Sequence, residues 1–142
     1  MSGLPERVAA LFSASGTPQQ ESHFEERESL YAPDMRFADP IQELTSRDEF
    51  LEMMRRLYTR ATSVRFEDVS VVGDDAHFFM SWRMRLRMKV GPEFSAHGMS
   101  EFHARDGRIV SQRDCRDLLG TFMGSLPLAG QVWRRAVRTL LG

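Results

Sequence analysis

The stretch AHFFMSWRMRLRMKV, residues 76–90, decides the class of fold. Its apolar side chains recur at every second position, from Phe78 through Met80, Trp82, Met84 and Leu86 to Met88, while Ser81, Arg83, Arg85 and Arg87 fill the alternate positions. A period of two describes a strand with one face turned to a core. Apolar burial turns the Trp and Met face inward, because burying unpaired guanidinium groups instead costs several kcal/mol for each ion. The arginine row is therefore expected on the outer side, paired with acidic groups or facing a partner subunit.

The same period extends to both sides. SVRFEDVSVV (63–72), EFSAHGMSEFHA (93–104) and RIVSQRDCRDL (108–118) alternate likewise, and GDD, GPE and RDG separate the runs, which predicts four strands in an antiparallel meander. Towards the N-terminus the period lengthens. LPERVAALFSA places Leu4, Val8 and Leu11 or Phe12 on one helix face. TPQQESHFEERESLYA offers Thr17 as an N-cap before Pro18, with Pro33 closing the helix. TSRDEFLEMMRRLYTRA carries Ser46 and Glu49 in capping-box spacing, with Phe50, Met53 or Met54, and Leu57 at helical intervals. Between these two helices, Met35, Phe37 and Asp39 alternate as a short strand that Pro40 ends. At the C-terminus, LPLAGQVWRRAVRTLLG reads as an amphipathic helix, with Val132, Trp133, Ala136, Val137 and Leu140 opposite Arg134, Arg135 and Arg138. Packing against its own protein or a partner subunit is expected of it. The order is an α+β plan in which a curved antiparallel sheet wraps the N-terminal helices.

A length of 142 residues suits one domain, 1–142. The 19 basic and 20 acidic residues leave a net charge of −1, which gives no reason to expect nucleic acid. Cys115 is the single cysteine and has no disulfide or zinc-type partner in the sequence, as suits a reducing cytoplasm. The first residues carry Glu6 and Arg7 rather than a signal peptide, and no apolar run is long enough to span a membrane. Cytoplasmic location and no membrane partner are the expectation. Nine methionines and ten phenylalanines suit either a plastic lining for a bulky ligand or the core of a cone.

Two segments resemble a known superfamily, the nuclear transport factor 2-like proteins, and within it the SnoaL-like polyketide cyclases, ketosteroid isomerases and limonene epoxide hydrolases. LYAPDMRFADPIQELTSRDEFLEMM (30–54) is similar to the isomerases' strand ending in Asp-Pro, turn and helix. DGRIVSQRDCRDLLGTFMGSLPLAG (106–130) is similar to the hydrolases' closing strand, with Arg-Asp-x-x-Asp-Leu and a later Leu-Pro-Leu. The resemblance implies a cone-shaped, cystatin-like fold around an apolar pocket and a homodimer, and the C-terminal helix is an extra element beyond the similar segments. It implies chemistry only through the polar groups that point inward.

Asp39 matches the isomerases' general base, whose pKa is tuned by an apolar surrounding. An aspartate before proline also commonly accepts backbone hydrogen bonds in the turn that follows, so both readings stand. Asp114 matches the hydrolases' water-activating carboxylate. Alternation puts Val110, Gln112, Asp114 and Arg116 on one face, expected to be the inner one, with the opposite phase, Ile109 and Cys115 inward, as the alternative.

The departures are as informative. Where the isomerases carry a tyrosine and a protonated aspartic acid as oxyanion donors, this chain has Arg7 and Ser100. Ser100, Gln112 and Tyr58 are the substitute donors. Where the hydrolases carry an Arg and an Asp two residues apart on the long strand, residues 77–88 hold no aspartate. His23, His77, His97 and His103 show no metal-ligand spacing beyond the loose pair His97 and His103, so no metal or organic cofactor is expected. The expected function is carboxylate-mediated proton transfer, as isomerase or cyclase, on a small hydrophobic cyclic molecule. Asp39 and Asp114 are its catalytic residues, and Trp82, Met80, Met84, Met54, Tyr58, Phe102, Ser100 and Gln112 its ligand-binding residues. An epoxide hydrolase-like reaction with Asp114 activating water, and a non-catalytic ligand-binding or accessory domain, are the alternatives.

Overall fold

The computed structural model describes residues 3–14, 21–117 and 127–141. The elements run α1 (Leu4–Ala14), α2 (Glu21–Leu30), β1 (Tyr31–Ala38), β2 (Glu43–Leu44), α3 (Arg47–Arg60), β3 (Ala61–Gly73), β4 (His77–Met88), β5 (Glu93–Arg105), β6 (Arg108–Arg116) and, at the C-terminus, α4 (Pro127–Leu141). The six strands form one sheet in the order β2-β1-β6-β5-β4-β3. The meander β3 to β6 is antiparallel throughout, as its alternation predicts. The sheet as a whole is mixed, because β1 joins β6 in parallel, with Phe37 beside Gln112. Local pattern cannot reveal that pairing between distant segments.

The inner face of β4 is the apolar one: Phe78, Met80 and Trp82 are buried, and Arg85 and Arg87 are exposed on the other side. There Arg85 Nε meets Glu67 Oε2 at 2.9 Å. The helices close over the inner face through Val8, Leu11 and Phe12 of α1 and Phe50, Leu51 and Met54 of α3. Phe12 and Trp82 each meet Phe66 edge-on, at 5.0 and 5.5 Å between ring centroids. The α3 start follows the capping reading: Ser46 Oγ accepts from Glu49 N, while the Glu49 carboxylate reaches one residue further back, to Thr45 N.

Two local expectations change. Pro33 does not close α2, which ends at Leu30; it lies within β1, exposed, where the pairing with β6 shifts register between Tyr31 and Arg36. A proline is tolerated at such an irregularity because the ladder there lacks regular bonds. Thr17, the proposed cap of α2, lies outside the described residues. In α4, Trp133 and Val137 are half-buried, whereas Val132 and Leu140 are 68% and 83% exposed, so much of its apolar flank meets solvent.

Gly98 holds a specific place in the sheet. It stands opposite Trp82 in the β4–β5 register, and a Cβ there would fall 2.2 Å from the indole ring. The absence of a side chain is what lets the indole lie flat across β5. Gly98→Ala is expected to lower unfolding stability by about 1–3 kcal/mol through overpacking, read as a shift in the urea midpoint.

Candidate functional site

A cavity of about 170 Å³ lies between the helices and the inner face of the sheet. Phe12, Phe37, Phe50, Phe66, Trp82 and Met84 give it an apolar wall, and Asp39, Gln42, Gln112, Asp114 and Arg116 are its polar groups. The volume is below the roughly 300–1,000 Å³ of sites for drug-sized ligands, so the space suits a small molecule.

The inward direction of Asp114 follows from an irregularity in β6. Ile109 and Gln112 are both buried although they lie three residues apart, because the β5–β6 register shifts between His103 and Ala104, which pair with Ser111 and Ile109. The extra residue resets the alternation, so Ile109 faces the core and Gln112, Asp114 and Arg116 still face the cavity. Gln112 and Asp114 thus face inward as expected, and Ile109 of the opposite phase is buried as well, while Cys115 is exposed.

Asp114 is held by a buried network. Ser100 Oγ donates to Asp114 Oδ1 at 2.6 Å, and Gln112 Nε2 donates to the same oxygen at 3.0 Å. Trp82 Nε1 donates to Ser100 Oγ at 2.9 Å, so the serine hydrogen is directed at the carboxylate. On the other branch, the Tyr31 hydroxyl donates to Gln112 Oε1, which turns the amide nitrogen towards Asp114. Burial pushes the Tyr31 phenol far above its ordinary range, against the opposing charge of Arg27, so this hydroxyl stays a donor. Both donors reach Oδ1 rather than Oδ2. Burial raises the Asp114 pKa above the ordinary carboxylate value; the bonds from Gln112 and Ser100 and the charge of Arg116 oppose the rise, and the charge of Asp39 adds to it.

Asp39 is placed differently. Its Oδ1 accepts from the backbone N–H groups of Ile41 and Gln42 at 2.8 and 2.9 Å, the turn role of an aspartate before proline. Its Oδ2 faces Arg116 Nη2 at 3.5 Å, and the side chain is only 3% exposed. The turn carboxylate and the cavity carboxylate are thus the same group. Arg116, at the end of β6, joins Asp39 to the neighbourhood of Asp114.

Of the expected ligand-binding residues, Trp82, Met84, Met54 and Gln112 line the cavity. Met80 and Phe102 do not; they are buried in the packed core, with Phe102 stacked on Phe78. Tyr58 is also buried away from the lining, its hydroxyl accepting from Arg27 Nη2 at 3.4 Å. Ser100 stands behind Asp114 rather than in the wall, and its hydrogen is committed to the carboxylate. Tyr31, Gln42 and Arg116 had no role assigned from the pattern. Tyr31 was hidden by the reading of Pro33 as a helix end, and the position of Arg116 near Asp39 depends on the parallel β1–β6 pairing.

Residues 8–112 match the family model of the SnoaL-like domain. The chain belongs to the SnoaL-like domain family. The match includes Asp39 and ends at Gln112, just before Asp114 and Arg116. No curated protein matches the sequence significantly. Among solved structures, this SnoaL-like chain is similar to a limonene epoxide hydrolase-like epoxide hydrolase of Mycobacterium tuberculosis (TM-score 0.68, 20% identity, 94% of this chain and 95% of that one). It is similar to a candidate SnoaL-like polyketide cyclase from Jannaschia sp. CCS1 (TM-score 0.72, 16% identity, 86% and 90% covered). A protein with a ketosteroid isomerase-like fold from Catenulispora acidiphila gives a TM-score of 0.66 at 18% identity, with 85% and 92% covered. At these identities the likeness establishes the α+β cone fold, and the chemistry has to come from the site. No helix among the described residues is long and apolar enough to cross a membrane.

The raised pKa of Asp114 sets the sign of a stability effect. The folded state holds the Asp114 proton more tightly than the unfolded chain, so this group's contribution is present below the unfolded value of 3.8 and is lost as pH rises through the raised folded value. Asp114→Asn cannot ionise, and its amide oxygen still accepts from Ser100 and Gln112. The stability of Asp114→Asn minus that of the wild type is expected to increase with pH across that window and then level off, measured by urea unfolding. Asp74 and Glu101, whose pKa values are lowered, give the opposite slope in both proteins and cancel in the difference.

Proposed function

We propose that this SnoaL-like domain is a cofactor-independent enzyme that moves a proton on a small hydrophobic molecule, in an isomerisation or cyclisation, with Asp114 as the proton-carrying group. The observation that carries the reading is the buried Asp114 carboxyl, raised in pKa, facing an apolar cavity and fixed through Oδ1 by Ser100 and Gln112. A carboxyl displaced upward approaches the range in which it both takes and returns a proton near neutral pH. Asp39, the position similar to the isomerases' base, is the second carboxylate of the same cavity. It accepts from two backbone N–H groups and faces Arg116, surroundings unlike those of Asp114, and in this reading the two carboxylates do different work. Arg116 is the cationic group available to a negative oxygen developing on the ligand.

Deuterium incorporation at acidic carbons of small cyclic enones, followed by NMR, tests this. Asp114→Asn is expected to reduce exchange by about 10²–10⁴-fold, the size of a lost general acid–base group, and Asp39→Asn by less. Exchange that Asp114→Asn leaves unchanged overturns the assignment.

One observation favours a second reading, epoxide opening by an activated water. The hydrolase pattern needs an acid, an arginine and a base in contact, and β4 offers no aspartate. Asp39, Arg116 and Asp114 nonetheless line one cavity, with Arg116 beside Asp39 and its charge acting on Asp114. In this reading wild-type protein converts a member of a panel of small cyclic epoxides to the diol, and Arg116→Gln and Asp114→Asn both lose it. An inert wild type removes the epoxide reading and leaves the proton-transfer one standing.

A homodimer through the arginine-bearing end of the sheet's outer face completes the proposal. Met99 is exposed, and Arg83, Arg85 and Arg87 lie on that face towards the end of β4 away from His77 and His103. Sedimentation of the purified chain at twice the monomer mass is the expected result.

A further inference from the structure

On the outer face of the sheet, opposite the cavity, three side chains form a second cluster. His77 opens β4 and stands directly across from His103 in β5. Glu101, two residues before His103, lies on the same face of the pleat. His77 Nε2 is 2.9 Å from Glu101 Oε2, and His103 Nε2 is 3.7 Å from the same oxygen. The two imidazoles are stacked, with centroids 4.2 Å apart and planes within 11°. One ligand atom from each of the three residues lies within 4.8 Å of the others.

We propose that His77, Glu101 and His103 form a binding site for a divalent transition-metal ion of the zinc class, independent of the cavity and of the chemistry proposed there. Two imidazoles and a carboxylate are a ligand set that such ions accept, with metal–ligand distances of about 2.0–2.2 Å. Tetrahedral geometry at that length puts neighbouring donor atoms roughly 3.3 Å apart. The two donor separations to Glu101 lie on either side of this spacing, and capture turns the two exposed, stacked imidazoles until their in-plane lone pairs converge on the ion. The partial exposure of all three leaves space for water to complete the shell.

The support around the cluster is rigid. Asp74 Oδ1 accepts from the backbone N–H groups of Ala76 and His77, which fixes the β3–β4 turn and the start of β4. Ala104 N donates to Ala76 O at 2.8 Å and ties the same turn to β5. Arg113 faces Glu101 from β6, and its charge lowers the affinity for any cation without occupying the ligand position between the two rings. An ion here joins β4 to β5 and so stabilises the sheet that carries Trp82 and Ser100 on its other face.

The test is calorimetric titration of the full chain with Zn²⁺ just above neutral pH, after treatment with a chelator. The wild type is expected to bind saturably, His77→Ala and His103→Ala to lose that binding, and His97→Ala, a histidine elsewhere on the same outer face, to keep it. A rise in the wild-type melting temperature with Zn²⁺, absent from the His77 and His103 variants, is the second expected readout. Absence of saturable binding by the wild type, or binding by the double variant His77→Ala/His103→Ala equal to that of the wild type, overturns the site.

Discussion

A buried indole must satisfy its N–H, and here that requirement joins the fold to the site. Trp82 is placed inside by the alternation of β4, and Gly98 gives its ring room to lie across β5. The acceptor within reach is Ser100, the next inward residue of β5, and Ser100 passes its own hydrogen to Asp114. One buried donor thus fixes the direction of the serine and, through it, an oxygen of the carboxylate. Leaving such a group unpaired costs about 1–3 kcal/mol, enough to make the arrangement a structural condition as well as a chemical one.

The site has two carboxylates in contrasting surroundings. Asp114 sits behind apolar rings, where loss of water outweighs the donors that favour its charge. Asp39 sits at the turn after β1, where its Oδ1 accepts from two backbone N–H groups and its Oδ2 faces an arginine. A cavity that holds both has two carboxyl groups with different partners, an arrangement compatible with more than one reaction.

Much of this was legible in the sequence. The period of two in β3 to β6, the capping pair Ser46 and Glu49, and the inward set Gly98, Ser100 and Phe102 are local properties, written in neighbouring residues. The fate of Pro33 was not, because a proline before a strand looks like the end of a helix unless the irregular register with β6 is known. The burial of Ile109 was not legible for a similar reason: an irregularity at Val110 turns Ile109 and Gln112 to the same side, and nothing in the residue types marks it. The outer histidines show the same limit, since His103 pairs across strands with His77 and not with His97 of its own strand.

The sequence by itself determined the α+β class, the apolar face of the long strand and the presence of carboxylates at Asp39 and Asp114, because periodicity and residue chemistry act over a few neighbours. Only the tertiary structure decided that Asp114 is backed by Tyr31, Gln112, Ser100 and Trp82, that Arg116 meets Asp39 beside the same cavity, and that Met80 and Phe102 fill the core instead of lining the cavity. Those outcomes depend on the parallel pairing of β1 with β6 and on the registers of β4 to β6. Register is set by the summed burial and hydrogen bonding of whole strands, which no short stretch of residues contains.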